Sequence, residues 1–232
     1  MNNPTETALI VGASRGLGLG LAREYANRGW RVIATVRTAD PPTGLHALAA
    51  GAGDRVRVEM VDITIPEQVA ALRGLLAGER IDLLFVNAGI SNGEGETVGQ
   101  TSTEAFTNMM LTNALSPLRV VEACADLVPA GGVIAAMSSD LGSVANNTHA
   151  GWEIYRASKA ALNTMLRSFA VRRGDGRTVL AVAPGWVRTD MGGPNAALDV
   201  ATSVRGIADA IAGRRGRPGA WFVDYRGRDV PW

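Results

Sequence analysis

Residues 7–20 read TALIVGASRGLGLG, and the fold turns on how this stretch is understood. Thr7 to Val11 is a short, nearly continuous apolar run, the pattern of a strand buried on both faces. The glycines that follow, Gly12, Gly16 and Gly18, are spaced Gly-x-x-x-Gly-x-Gly and open a helical pattern near 17–28. Gly12 lets the chain turn tightly out of the strand, Gly16 lets the backbone approach a ligand, and Gly18 lets the helix pack close to the sheet. A helix N-terminus at this point offers N–H groups and a positive dipole end to a pyrophosphate. No Gly-Lys-Ser/Thr follows the glycines, so a P-loop is excluded. Three glycines alone also fit a plain tight turn. Their place between a first strand and a first helix makes them a nucleotide signal.

The alternation continues along the chain. Strand-like runs occupy 30–36, 55–60, 81–86, 132–137, 178–183 and 220–223. Helical patterns lie near 66–77, 102–128, 153–173 and 200–213, with a weaker one near 44–50. This order implies one doubly wound α/β domain over residues 1–232, a parallel sheet of about seven strands with helices on both faces. With 47% hydrophobic and 19% charged residues, the composition is globular. The net charge of +1 provides no field for nucleic acid or an acidic membrane. Cys124 is the single cysteine, which excludes internal disulfides and cysteine-built metal sites, and no metal site is expected. No basic leader precedes an apolar segment, and no run of 18 apolar residues occurs. A cytoplasmic protein with neither membrane nor nucleic-acid partners is the expectation.

In open α/β sheets the ligand lies beyond the carboxyl ends of the strands, so the irregular stretches 90–101 and 140–151 should border the site. A site for NAD usually carries an acid near the end of the second strand, to hold the ribose diol. Here that strand ends Val36-Arg37-Thr38, and Asp40 comes late, just before two prolines. Arg37, with Arg15 in the glycine loop, is suited to a 2′-phosphate, so NADP(H) is expected over NAD(H). Both arginines also fit an ordinary solvated surface.

Tyr155 and Lys159 stand four residues apart on one face of the 153–173 pattern. Together with Gly12-x-x-x-Gly16-x-Gly18, NAG at 87–89, Asn113, Ser138-Ser139 and PGWVRTDM at 184–191, they form an ordered set. Through this set the chain resembles the short-chain dehydrogenases/reductases over essentially its whole length. MSSDLGS, YRASKAALN and the DYRG…PW tail resemble the compact sniffer and C-factor type. The resemblance implies a Rossmann-fold oxidoreductase acting on a small carbonyl or alcohol substrate. It leaves room for a dinucleotide-binding signalling protein of the C-factor type with little turnover.

By that resemblance Tyr155 is the proton donor, and the Lys159 charge is expected to lower its pKa from about 10. Ser139 is expected to donate to the substrate oxygen. Ser139-Asp-Leu-Gly142 fits the family's Ser-x-x-Gly, and adjacent strand residues face opposite ways, which leaves Ser138 outside the site. NNTHA, residues 146–150, looks like an extra turn before Tyr155. Asn113 lies in a helix with a capping-box form at Thr101 and Glu104. Pro117 cannot donate to the Asn113 carbonyl, so a kink is predicted, and the family uses that carbonyl in a proton relay toward Lys159. Ser14, Arg15 and Leu17 complete the glycine loop, and Asp62 and Ile63 follow the third strand toward the adenine. Asn87, Ala88 and Gly89 should line the adenine-side ribose. Pro184, Gly185, Val187 and Thr189 should hold the nicotinamide carboxamide. Val11 replaces the threonine that many members carry before the first glycine, removing a side-chain hydrogen bond.

The resemblance further implies a homodimer through the 102–128 and 153–173 helices, although the compact subgroup includes room for a monomer. His46 reads as a surface residue, His149 as a polar loop residue and Cys124 as a buried small side chain. Trp152, Trp186 and Met191 fit either a substrate pocket or ordinary packing.

Overall fold

The computed structural model describes residues 5–93 and 95–232. The first four residues and residue 94 of the 90–101 stretch lie outside the described residues. Seven strands form one sheet: β1 (Thr7–Val11), β2 (Arg31–Val36), β3 (Val56–Met60), β4 (Leu83–Val86), β5 (Val133–Met137), β6 (Thr178–Ala183) and β7 (Gly219–Asp224). Their order is β3-β2-β1-β4-β5-β6-β7, and every neighbouring pair is parallel. The helices are α1 (Gly16–Asn27), α2 (Gly44–Ala52), α3 (Pro66–Leu75), α4 (Thr103–Met110), α5 (Ser116–Cys124), α6 (Glu153–Arg173) and α7 (Val200–Arg214).

The period of two along each strand divides the apolar residues between two cores. Leu9 and Val11 of β1 join Leu72, Val121, Leu166 and Phe169 from α3, α5 and α6 on one face. Ala8 and Ile10 join Leu21, Val204 and Ile207 from α1 and α7 on the other. Burial on both faces is why the central strands read as nearly continuous apolar runs, while the edge strand β3, VRVEM, is half-buried and alternates. The strand order reverses between β1 and β4, which opens a crevice at the carboxyl end of the sheet. Among the described residues no helix is long and apolar enough to cross a membrane.

The predicted 102–128 helix departs from expectation at two points. Its cap is Ser102 rather than Thr101: the Ser102 hydroxyl accepts from the Ala105 N–H at 3.1 Å. Thr101 is turned back, its hydroxyl donating to the Thr97 carbonyl at 3.0 Å. The kink expected at Pro117 is a π turn over Leu111–Leu115, where the Ser116 N–H donates to the Leu111 carbonyl five residues back. Pro117 then falls in the first turn of α5, where its missing N–H costs nothing. His46 is also more than a surface residue. The Thr43 N–H donates to its Nδ1 at 3.0 Å, completing a capping box at the start of α2.

Beyond β7 the chain folds back toward the crevice. The Asp224 carboxylate accepts from the Arg226 and Arg228 N–H groups, both at 2.9 Å, which turns the backbone. Trp232 packs on Phe222 with ring centres 5.6 Å apart. Its carbonyl accepts from the Val144 N–H at 2.9 Å, and Ser143 Oγ donates to the Pro231 carbonyl at 2.6 Å. The DYRG…PW segment thus anchors the stretch that leads from β5 to α6.

Candidate active site

The glycine loop packs more tightly than any side chain would allow. Gly12 has φ +88°, and a Cβ there would lie 2.8 Å from Ala88. A Cβ on Gly18 would lie 2.1 Å from the Gly12 carbonyl and 2.7 Å from Asn87 Nδ2. Asn87 Nδ2 donates to the Gly12 carbonyl at 2.8 Å, which ties the end of β4 to the loop. The Gly12 N–H donates to Thr35 Oγ1 at 3.0 Å. Thr35 therefore supplies from β2 a side-chain bond that Val11 cannot, and its one sequence signal was a polar residue inside an apolar strand. Arg15 is the extended residue before α1; it makes no side-chain cap, and no acid occupies the first turn. A cradle closed by glycines at a helix N-terminus fits a dinucleotide pyrophosphate. Ser14 and Leu17 sit half-buried in it.

The other predicted cofactor residues ring the same edge of the sheet. Arg37 is exposed just past β2 and makes no hydrogen bond or ion pair among the described residues. Arg15, by contrast, pairs with Asp190 of the segment after β6 at 2.6 Å. Asp62 Oδ1 accepts from the Thr64 N–H at 2.9 Å and its hydroxyl at 2.6 Å. The Ile63 side chain is buried in the core, so only its backbone can face a ligand. After β6, the Pro184 carbonyl accepts from the Ser203 hydroxyl at 2.8 Å. Gly185 has φ +76°. The Thr189 hydroxyl donates to the Val187 carbonyl at 3.3 Å and accepts from the Gly192 N–H at 3.1 Å.

Lys159 is the only lysine in the sequence, and it is buried, 3% exposed. Its Nζ donates to the Met137 carbonyl at 2.9 Å and lies 5.6 Å from the centre of the Tyr155 ring. The Ser139 hydroxyl accepts from the Leu141 N–H at 3.2 Å and stands near the Tyr155 phenol. Ser138 faces the opposite way, donating to Asn163 Oδ1 at 2.7 Å inside the protein. Asn113 is fully buried at the centre of the π turn. Its Oδ1 accepts from the Ile90 N–H at 2.8 Å, and its Nδ2 donates to the Ile90 carbonyl at 2.8 Å and to Ser158 Oγ at 3.0 Å. Ser158 in turn donates to the Tyr155 carbonyl at 2.7 Å. Ser158 is a connector the sequence reading passed over, although it immediately precedes Lys159. A Cβ on Gly89 would lie 3.2 Å from Asn113 Oδ1 and 3.4 Å from Lys159 Nζ, so Gly89 is where these two side chains converge.

The electrostatics correct one expectation. Burial pushes the Tyr155 phenol up to about 12, and the nearby Ser139 hydroxyl pulls it only partly back. Lys159, expected to lower the phenol's pKa, is itself pushed down to about 8 by burial. Its Nζ is committed to a carbonyl rather than to the phenol oxygen. At neutral pH the pair is therefore an un-ionised phenol beside a largely protonated amine. That arrangement can give up a proton. Cys124 lies in the core, its thiol pushed up to about 11 by burial, and His149 is exposed with Nδ1 on the Thr148 hydroxyl.

A family model described as enoyl-(acyl carrier protein) reductase matches residues 12–220. The chain belongs to the short-chain dehydrogenase/reductase family. It is 40% identical over 155 residues to the C-signal of Myxococcus xanthus, covering 66% of this chain and 93% of that protein. A structure described as a short-chain dehydrogenase/reductase from Burkholderia multivorans with bound NADP is 51% identical. It covers 99% of this chain and 100% of its own, with a TM-score of 0.96. The carbonyl reductase Sniffer of D. melanogaster is 29% identical, covering 98% and 100%, with a TM-score of 0.87. The likeness to both the sniffer and C-factor type holds, and the chain is an NAD(P)-dependent dehydrogenase/reductase.

Proposed function

We propose that the protein reduces a small aldehyde or ketone with NADP(H), or oxidises the alcohol in reverse, with Tyr155 as the proton donor. The observation that carries this reading is the buried pair Tyr155 and Lys159 beside the half-buried Ser139 at the carboxyl edge of the sheet, next to the glycine cradle. When bound, the nicotinamide supplies the hydride. Ser139 holds the substrate oxygen and Tyr155 protonates it. The Lys159 charge favours the phenolate that remains, and Asn113 leads the proton relay toward Lys159. Gly12, Gly16 and Gly18 hold the pyrophosphate; Asp62 and Asn87 to Gly89 take the adenosine side; Pro184 to Thr189 take the carboxamide.

Tyr155→Phe keeps the shape and removes the proton. Carbonyl reduction should slow by at least ~100-fold, the usual size of general acid catalysis, while NADPH affinity measured by titration stays nearly unchanged. A variant that keeps half its activity removes Tyr155 from the mechanism.

The NADP(H) preference rests on Arg37. No acid stands at the end of β2 to repel a 2′-phosphate, and the B. multivorans relative carries NADP. A charge-assisted hydrogen bond contributes roughly 1.5–3 kcal/mol, a tenfold preference or more. Arg15 contributes only on leaving Asp190, and that exposed pair is weak. Arg37→Asp should weaken NADPH sharply and move the preference toward NADH. Equal affinity of the wild type for both cofactors would contradict the assignment.

A second reading, a dinucleotide-binding signalling protein, is favoured by the likeness to C-signal. It requires NADPH binding without turnover of any carbonyl. The proposed homodimer pairs the α4–α5 and α6 faces, where Phe106, Leu115 and Val171 are exposed. Sedimentation should give twice 24.3 kDa, and a mass of 24.3 kDa would refute the dimer.

A further inference from the structure

Trp152 occupies a backbone position that glycine or asparagine would suit better. Its φ of 59° and ψ of 30° are left-handed, and among the described residues only Asp175 shares a positive φ outside glycine. That region is unfavourable for a bulky side chain and open to glycine or asparagine. The position is also the N-cap of α6, where serine, threonine, aspartate or asparagine would bond a free N–H; Trp152 makes no such bond. The backbone there is held from both sides. The Arg156 N–H donates to the Trp152 carbonyl at 2.8 Å, and Arg156 Nε donates to the Gly151 carbonyl at 2.8 Å. A bulky residue kept in a strained position at the edge of a site points to a use for its side chain.

The surroundings of the ring show what that use is. Trp152 is half-buried and stands edge-on to Tyr155, with ring centres 5.9 Å apart and planes at 65°. It belongs with Ile90, Leu141, Met109 and Ile154 to a small apolar cluster separate from both main cores. Ile90, Leu141 and Trp152 are its partly exposed members, and none carries a charge. The adjacent acid, Glu153, is turned away, its carboxylate accepting from the Val98 N–H at 2.9 Å. The proton-donating phenol is therefore framed by apolar surface with one large flat ring.

We propose that Trp152 is a specificity-determining residue that selects a neutral, ring-bearing aldehyde or ketone by packing against its apolar body while the carbonyl meets Tyr155. This inference rests on the carbonyl-reductase reading above and names the substrate class for it. Aromatic faces and edges of this kind pack well on flat apolar ligands. An apolar ligand that gains such a contact should gain it in KM, because Trp152 supplies neither proton nor charge.

The test is steady-state NADPH oxidation by wild type, Trp152→Ala and Trp152→Gly with benzaldehyde, 4-carboxybenzaldehyde and propanal. Wild type should favour benzaldehyde over its carboxylated analogue by about tenfold or more in kcat/KM, the range a hydrophobic pocket can discriminate. Both variants should lose about tenfold on benzaldehyde, mainly through KM, and stay within about twofold on propanal. Trp152→Gly should melt above Trp152→Ala, since glycine accepts the left-handed backbone. Equal losses on benzaldehyde and propanal, an unchanged KM for benzaldehyde, or both variants melting more than about 10 °C below wild type would overturn the assignment and make Trp152 a packing residue. Wild type that turns over all three compounds without dependence on Trp152 overturns this inference alone. Wild type that binds NADPH and reduces none of them overturns the carbonyl-reductase reading and this inference together.

Discussion

The burial of one amino group organises the site. Lys159 reaches from α6 to the carbonyl of Met137 at the end of β5, and in doing so it fixes the helix against the strand that leads to Ser139. A buried ammonium is tolerated only where its protons are bonded, and here the strand end supplies the acceptor. The same burial that pulls the amine down to about 8 pushes the phenol up to about 12. The two groups, whose ordinary proton affinities are nearly equal, are thus driven apart, so that the phenol keeps its proton more firmly than the amine does. A donor that holds its proton at neutral pH suits reduction of a carbonyl, and a nearby charge can then steady the anion left behind.

The rest of the crevice depends on close approach rather than on charge. Gly12, Gly18, Ala88 and Asn87 bring three segments of backbone within contact distance, and Asn113 bridges α4–α5, the Ile90 loop and α6 through its single side-chain amide. Its amide is satisfied on both sides, which is how a fully buried polar side chain can hold such a junction together. The π turn at Leu111–Leu115 gives Asn113 this placement, with Pro117 beginning a new helix immediately after it. The Trp232 tail sets the other border, by bonding the start of the loop between Ser139 and Tyr155.

The sheet was legible because the strands buried on both faces leave nearly continuous apolar runs, with the half-buried edge strand β3 alternating instead, and the glycine spacing marked the first crossover. Ser139, Tyr155 and Lys159 were singled out through the family resemblance; helical spacing accounts for Tyr155 and Lys159 sharing a face, and the structure brings the three to one edge of the sheet. What escaped was long-range. Thr35 reaches Gly12 from 23 residues away, and no local pattern announces that contact. The Arg15–Asp190 pair spans 175 residues, and the Trp232 carbonyl meets Val144 only once the tail has folded back. The cap at Ser102 differs from the expected Thr101 because both residues can cap, and the Thr97 carbonyl decides between them. The pKa direction of Tyr155 was missed because a four-residue spacing conveys proximity and says nothing about burial.

Because Lys159 is the only lysine, protein labelled with carbon-13 at lysine alone carries a single side-chain Cε signal, and its chemical shift reports one titration. The account predicts a midpoint at about 8, set by burial against the Met137 carbonyl. A midpoint near the ordinary lysine value of about 10.4 would mean a solvated amine, and would contradict the buried pairing on which the proton-donor assignment of Tyr155 depends.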